Sequence, residues 1–268
     1  MFKDILVGQY LPGDSPIHRM NPALEIILVL LYMTMLFVIK KPVSYAVFTL
    51  YTVLLLAISK VPLKSAVKGI KPLRWILVFM ALFNLFLVKG EPLFSITSAV
   101  YVSKEGVYMT AIVILRLVLL VTGASIFTLT TPPLAMTDGV ETLLKPFEKI
   151  KLPSRDIAMM MSISIRFIPV LAEEADKIMK AQTARGVDFS SGGIVRRAKA
   201  MLPVLIPLFV NAFRRADELA LAMEARCYGA GERTKMKEQK ITAADIKNTA
   251  VFIAAAVILV LTEILVEI

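Results

Sequence analysis

Five long apolar stretches constrain the fold of this chain more than any other feature. A helix that spans a bilayer needs about 20 mainly apolar residues. The stretches that reach or approach this length are residues 24–39, 43–59, 75–88, 107–130 and 249–266. Apolar residues make up 57% of the sequence, against roughly 45–50% in an average soluble domain. The sequence therefore predicts an all-α integral membrane protein with about five transmembrane helices.

The distribution of Lys and Arg predicts how these helices are oriented. The connection after the second stretch holds Lys60, Lys64, Lys68, Lys71 and Arg74. Residues 131–248 hold 19 basic and 14 acidic residues, whereas the charged residues of the C-terminal tail are all acidic. Basic connections stay on the cytoplasmic side of a membrane. We expect a multi-pass protein of the cell membrane, with a cytoplasmic N-terminus and an outer C-terminus.

This orientation predicts three regions. Residues 1–130 form a membrane domain with four transmembrane helices, 131–248 form a cytoplasmic domain, and 249–268 form a last transmembrane helix. The basic connection after the second stretch has its lysines at helical spacing. It is either a short interfacial helix on an anionic leaflet or an ordinary basic loop, and the spacing alone leaves both open.

The cytoplasmic region reads as helical. Thr131-Pro132-Pro133 ends the fourth stretch, and residues 137–149 have the apolar spacing of a short amphipathic helix. Pro153 and Ser154 look like the start of a longer helix. If residues 154–184 are one helix, it is about 45 Å long. A second apolar block, 201–213, leads into another helix of the same kind, and Thr242 with Asp245 is expected to cap the last helix.

The two long helices end in related sequences. Residues 175–186 and 216–227 match at five of twelve positions, including an aspartate and a final Ala-Arg pair. The residues at the two ends are Ala184, Arg185, Gly186, Ala225, Arg226 and Cys227. A single arginine there is best explained as a cation at the negative end of a helix dipole. Two copies favour a second interpretation, in which each guanidinium binds carboxylates on a partner.

These residues resemble a known family. The paired ends resemble the Ala-Arg-Gly signatures of the transmembrane (T) component of energy-coupling factor transporters, a type of ABC transporter. Residues 166–169 (Arg-Phe-Ile-Pro) and 181–186 (Ala-Gln-Thr-Ala-Arg-Gly) also fit. Residues 8–19 resemble the start of T components that serve several vitamin-binding subunits. The chain departs from the family pattern at Cys227, where glycine is frequent in the family.

The resemblance implies a coupling subunit that is not itself an enzyme. It implies two long, crossing cytoplasmic helices, with Arg185 docked on one ATPase subunit and Arg226 on another. The further partners would be the lipid bilayer and a substrate-binding (S) subunit for a vitamin or similar micronutrient. No cofactor of its own is expected, since ATP would be bound by the ATPases. The apolar blocks would contact the S subunit through Met159, Met160, Met161, Pro169 and Pro207. Thioethers adapt to differently shaped partners, although filling a core is the ordinary role of each methionine.

Other functions find less support. The sequence has no Gly-x-x-x-x-Gly-Lys-Ser/Thr loop, which excludes a P-loop ATPase. A self-sufficient secondary transporter is the alternative, but it predicts ionisable residues at mid-bilayer in repeated halves. Only Arg116 fits, and we expect it to reach the interface or to bind carbonyls. The net charge of +10 does not indicate nucleic-acid binding, because acidic residues are mixed with the basic ones.

Overall fold

The computed structural model of the chain describes residues 10–88, 91–97, 100–189, 191–229, 231 and 242–265. The described residues pack as two compact units, one within residues 10–149 and 242–265 and the other within residues 150–231. The boundaries that the sequence predicts at residues 130 and 248 concern the membrane border, which packing does not test. The sequence also predicts a polar, basic linker from Gly231 to Lys240, and most of it lies outside the described residues.

The described residues form nine α-helices and one antiparallel hairpin. The helices are α1 (Pro22–Val38), α2 (Pro42–Ser59), α3 (Leu63–Lys68), α4 (Arg74–Leu87), α5 (Lys104–Thr130), α6 (Pro133–Leu144), α7 (Ser154–Ala184), α8 (Ile194–Ala225) and α9 (Ala243–Leu265). The hairpin pairs β1 (Pro92–Thr97) with β2 (Val100–Ser103). Helices dominate as predicted, and the hairpin between α4 and α5 is an addition that the sequence analysis did not foresee.

The predicted membrane helices are present. Within the described residues, four helical stretches are long and apolar enough to cross a bilayer, at Pro42–Ser59, Leu63–Leu87, Lys104–Thr130 and Asp245–Glu263. The fifth, α1, is a shorter apolar helix. The stretch Leu63–Leu87 contains α3, a 3-10 turn at Lys71–Leu73 and α4. The basic connection therefore has the short helix that its lysine spacing allowed.

The starts of α1 and α9 are held together by one buried carboxylate. Oδ2 of Asp245 accepts hydrogen bonds from the backbone N–H (2.8 Å) and the hydroxyl (2.7 Å) of Thr242. This confirms the predicted cap of the last helix. Oδ1 of the same residue accepts from the backbone N–H of Asn21 at 3.1 Å. Asn21 in turn caps α1, where its side chain accepts from the N–H of Ala23 at 3.0 Å.

The core of the membrane unit forms where α1, α2 and α5 meet. The hydroxyl of Tyr32 donates to the carbonyl of Leu119 at 2.9 Å and lies 2.9 Å from the hydroxyl of Thr52. Gly123 allows this contact, because a Cβ on that residue would come within 2.2 Å of the Tyr32 ring. Phe48 packs on the same ring, with 4.7 Å between the centroids. The core thus depends on a close helix approach at one glycine.

Arg116 makes structural contacts at the end of α1. Its Nη2 donates to the carbonyl of Ile39 at 3.2 Å, and its Nε donates to the hydroxyl of Tyr45 at 2.8 Å. The backbone N–H of Lys40 donates to Glu263 at 3.1 Å. The expected carbonyl bonding is confirmed, and the connection between α1 and α2 is held from α5 and α9.

The start of α6 corrects the sequence analysis. The expected helix at residues 137–149 begins earlier, at Pro133, and gives way after Leu144 to a 3-10 turn at Lys145–Ile150. Pro132-Pro133 was interpreted only as a stop signal. Proline is also favoured at the first position of a helix, where its missing N–H costs nothing. Gly139 packs α6 closely on α1, since a Cβ there would lie 2.9 Å from the backbone of Pro22.

Candidate functional site

The helices α7 and α8 run antiparallel within their unit. They have 31 and 32 residues, so each is about 45 Å long or slightly more. The Glu174 carboxylate accepts from Asn211 at 3.2 Å, and the Gln182 amide donates to the carbonyl of Pro203 at 3.4 Å. In each pair the two residue numbers add to 385, as expected of antiparallel neighbours. The predicted single helix over residues 154–184 is confirmed, although Pro169 lies inside it.

The first helix end is built by the backbone around Arg185. Gly186 adopts a left-handed conformation with a φ of 89°. Its N–H donates to the carbonyl of Thr183 at 2.9 Å, and the N–H of Val187 donates to the carbonyl of Gln182 at 3.1 Å. These two bonds define a Schellman motif. Arg185 is the C-cap residue that follows Ala184 at the end of α7, and its side chain is exposed.

The second helix end repeats this turn around Arg226. Cys227 takes the left-handed position with a φ of 56°. Its N–H donates to the carbonyl of Glu224, and the N–H of Tyr228 donates to the carbonyl of Met223, both at 2.9 Å. The sequence made this turn uncertain because it lacks glycine, yet the Schellman motif forms. Arg226 is exposed in the same position as its counterpart.

The second end has one contact that the first lacks among the described residues. The hydroxyl of Tyr228 donates to Asp156 in the first turn of α7, at 3.5 Å. The corresponding residue after the first turn is Val187, which has no side-chain donor. The turn after α8 is thereby connected to the start of α7.

The two arginines lie at opposite ends of the helix pair. Because α7 and α8 are antiparallel, Arg226 lies beside the first turns of α7, while Arg185 lies at its far end. This places the two ends about 40 Å apart along the helix axes at 1.5 Å per residue. Within the described part of the chain, neither arginine has an acidic side chain within ion-pair distance. Each is available to a carboxylate on a partner.

An exposed apolar stripe follows one face of α8. Its members recur at spacings of three and four residues and are 50–66% exposed. They are Leu202, Leu205, Ile206, Phe209, Val210 and Phe213. The rings of Phe209 and Phe213 pack edge to face, 4.9 Å apart. The apolar block at residues 201–213 was expected from the sequence, and its helical periodicity also indicates which residues share this face.

The residues that the sequence predicts to contact an S subunit differ in their solvent exposure. Met160 and Pro207 are exposed, whereas Met159, Met161 and Pro169 are partly buried. All five lie on α7 or α8, in the same unit as the two arginines. Met160 and Pro207 thus remain candidates for contact, and the stripe on α8 is the larger apolar surface.

Comparison with known proteins finds a family model and several relatives that match nearly the whole chain. The family model CbiQ, described as cobalt transport protein, matches residues 13–237. The energy-coupling factor transporter transmembrane protein EcfT of Thermosediminibacter oceani is 47% identical over 259 residues, which cover 96% of each chain. The protein of the same name from Acidaminococcus fermentans is 49% identical over 97% of each chain. That of Bacillus subtilis is 42% identical over 96% of this chain and 97% of its own.

Proposed function

The chain belongs to the EcfT family of transmembrane components of energy-coupling factor transporters, and we propose that it couples two ATPase subunits to an S subunit. In this proposal the chain binds no nucleotide and has no cofactor. It transmits the movement of the ATPases, which bind and hydrolyse ATP. The S subunit chooses the substrate, a vitamin or similar micronutrient.

The observation that carries the proposal is the pair of equivalent helix ends. Arg185 and Arg226 each come directly before the left-handed residue of the same Schellman turn, are exposed, and lie at opposite ends of one antiparallel helix pair. A planar, permanently charged guanidinium suits a bidentate contact with a carboxylate. A separation of about 40 Å along the helix axes favours two docking points on two subunits over a double contact with one.

The helix pair is suited to transmitting movement between these points. Coupling over such a distance requires stiff elements that shift between discrete positions. Each helix is continuous for more than 30 residues, and contacts near both ends join the two. A displacement at one docking point would therefore be passed along the pair instead of being absorbed by a loop.

The apolar stripe on α8 is the proposed surface for the S subunit. A contiguous exposed apolar patch marks a protein or membrane interaction site. Phe209 and Phe213 are the aromatic residues of the stripe, and aromatic side chains often supply most of the binding energy of an interface. Met160 and Pro207 add apolar surface on the same two helices. This assignment revises the predicted contact set by adding the stripe.

The orientation in the membrane is part of the proposal. The basic connections, including residues 60–74, favour a cytoplasmic N-terminus and an outer C-terminus. This would place α7 and α8 on the side where ATP is available. The alternative of a stand-alone secondary transporter gains nothing from Arg116, because that residue is engaged by Ile39 and Tyr45 in holding a connection.

Co-purification with ATPase subunits tests the coupling proposal. The double variant Arg185→Glu/Arg226→Glu is expected to lose ATPase binding and ATP-driven uptake, because it reverses both charges without altering the helices. Arg214→Glu is the matched control, since Arg214 is also an exposed arginine of α8. Full ATPase binding by the double variant would refute the docking role of both arginines.

The S-subunit surface has its own test. Phe209→Glu/Phe213→Glu is expected to lose the S subunit while keeping the ATPases. Leu221→Glu is the control, since Leu221 is as exposed as Phe209 (66%) but lies about two helical turns beyond Phe213, the last member of the stripe. Retention of the S subunit by the Phe209 and Phe213 variant would show that it docks elsewhere.

A further inference from the structure

The connection from α2 to α4 carries a basic surface that the proposed function does not use. Lys64 and Lys68 lie on α3, Lys71 lies in the following 3-10 turn, and Arg74 begins α4. All four side chains are exposed, and we call this set the basic patch. Residues 26–90 contain no acidic residue. Within the described part of the chain, no side chain of the patch forms an ion pair.

The orientation of α3 is fixed by its packing. Ala66 is fully buried, in a cluster with Val61 and Leu129. Gly69 lies against α5, where an added Cβ would come within 3.1 Å of the hydroxyl of Ser125. The helix therefore cannot turn its lysines inward without losing this contact, and the basic side is presented permanently.

The exposed side of α3 has separate apolar and basic faces. At 100° per residue, Leu63 and Val67 share one face and the lysines of the helix share the next. Leu63 is 63% exposed although it is apolar. Trp75 is 71% exposed, and the Arg74 guanidinium lies 5.6 Å from the centroid of its ring. Tryptophan next to basic residues at the start of a spanning segment is typical of the membrane interface.

We propose that the basic patch binds the headgroups of anionic phospholipids in the cytoplasmic leaflet. The leaflet assignment rests on the orientation in the proposed function. Leu63, Val67 and Trp75 would enter the acyl region of the bilayer. The cations of the basic patch would bind the phosphates of the lipid headgroups. Lys60 is left out, because Asp14 lies within electrostatic reach of it. Each basic residue near an anionic surface raises binding by about fivefold.

Lipid selectivity of the assembled transporter tests this proposal. The complex is reconstituted in nanodiscs of mixed phosphatidylglycerol and phosphatidylcholine, and the lipids retained by the protein are measured by native mass spectrometry. Lys64→Gln/Lys68→Gln is expected to lower the preference for phosphatidylglycerol by about 25-fold, since each lysine contributes about fivefold. Lys64→Arg/Lys68→Arg keeps the charge and is expected to keep the preference.

The matched control is a second pair of boundary lysines. Lys40→Gln/Lys41→Gln removes two exposed or half-exposed lysines between α1 and α2, at the other end of the spans, and is expected to leave the preference unchanged. An equal loss in both pairs, or no loss in either, would overturn the proposal. Loss of a partner subunit with unchanged lipid preference would also overturn it and would assign the patch to a protein contact. None of these outcomes depends on Arg185 or Arg226, so failure of the docking proposal is distinguishable.

Discussion

The two ends of the helix pair have the same backbone turn but not the same residues. At the first end, glycine occupies the left-handed position at Gly186, where it avoids the steric cost of a side chain. At the second end, Cys227 occupies that position with a side chain. Both turns nevertheless make the same pair of hydrogen bonds and expose an arginine one residue earlier. What the ends share is therefore the presentation of the arginine and not the residue after it.

The side chain at the left-handed position makes the second turn costlier to form than the first. A left-handed conformation costs a residue with a side chain about 1–2 kcal/mol. The bond from Tyr228 to Asp156 is a contact that compensates for part of this cost. The first end needs no such support, because Gly186 adopts its conformation without strain. The predictions below separate the role of the arginines from the role of the turns.

Removing either arginine should have the largest effect, a loss of ATPase binding of similar size at both ends. Truncating one partner of a desolvated charge pair costs about 2–5 kcal/mol, which is about 30-fold or more in affinity. Arg185→Ala and Arg226→Ala should each weaken ATPase binding by this amount, as measured by titrating ATPase onto the chain in nanodiscs. If one variant bound normally, the two ends would not be equivalent docking points.

Exchanging the residues at the left-handed positions should change the stability of the two turns by a smaller amount. The change should have opposite signs at the two ends. Cys227→Gly should stabilise the second turn by about 1 kcal/mol, and Gly186→Cys should destabilise the first by about 1–2 kcal/mol. Hydrogen exchange checks this, because the amide of Tyr228 should exchange more slowly and that of Val187 faster. Equal exchange in the wild type and both variants would mean that the turns are held by something other than local conformation.

Removing the hydroxyl of Tyr228 should have the smallest effect. It should lower the stability of the second turn and leave the first turn unchanged. Tyr228→Phe loses an exposed hydrogen bond worth about 0.5–1 kcal/mol and keeps the ring. The amide of Tyr228 should exchange about two- to fivefold faster, while the amide of Val187 serves as an internal control. A change at Val187 would instead show that the bond to Asp156 stabilises the whole helix pair.

Much of the fold could be predicted from local signals. The start of α7 after Pro153, its end before Gly186, and the cap of Thr242 and Asp245 follow from residue types with strong positional preferences. The start of α6 was missed because proline both ends and begins helices, and sequence alone does not say which. The hairpin at Pro92–Ser103 lies between two spans, where apolar length had drawn attention to the helices.

The site was predictable in its residues but not in its geometry. The repeat identified Arg185 and Arg226, whereas their placement at opposite ends depends on the antiparallel packing of α7 on α8. The exposed face of the apolar stripe depends on which side of α8 meets α7, and this is a property of the pair. The partners of Arg116 are a carbonyl and a phenol from another connection, which no local spacing specifies.

Protection of a thiol at each end tests the central claim most directly. Cys227 is the single cysteine of the chain and is exposed next to Arg226. The variant Gly186→Cys/Cys227→Gly moves this thiol to the equivalent position at the first end. Maleimide labelling is measured for each chain alone and after assembly with the ATPases. We predict that assembly protects the thiol at both positions, whereas unchanged labelling at either position would contradict docking of an ATPase at that end.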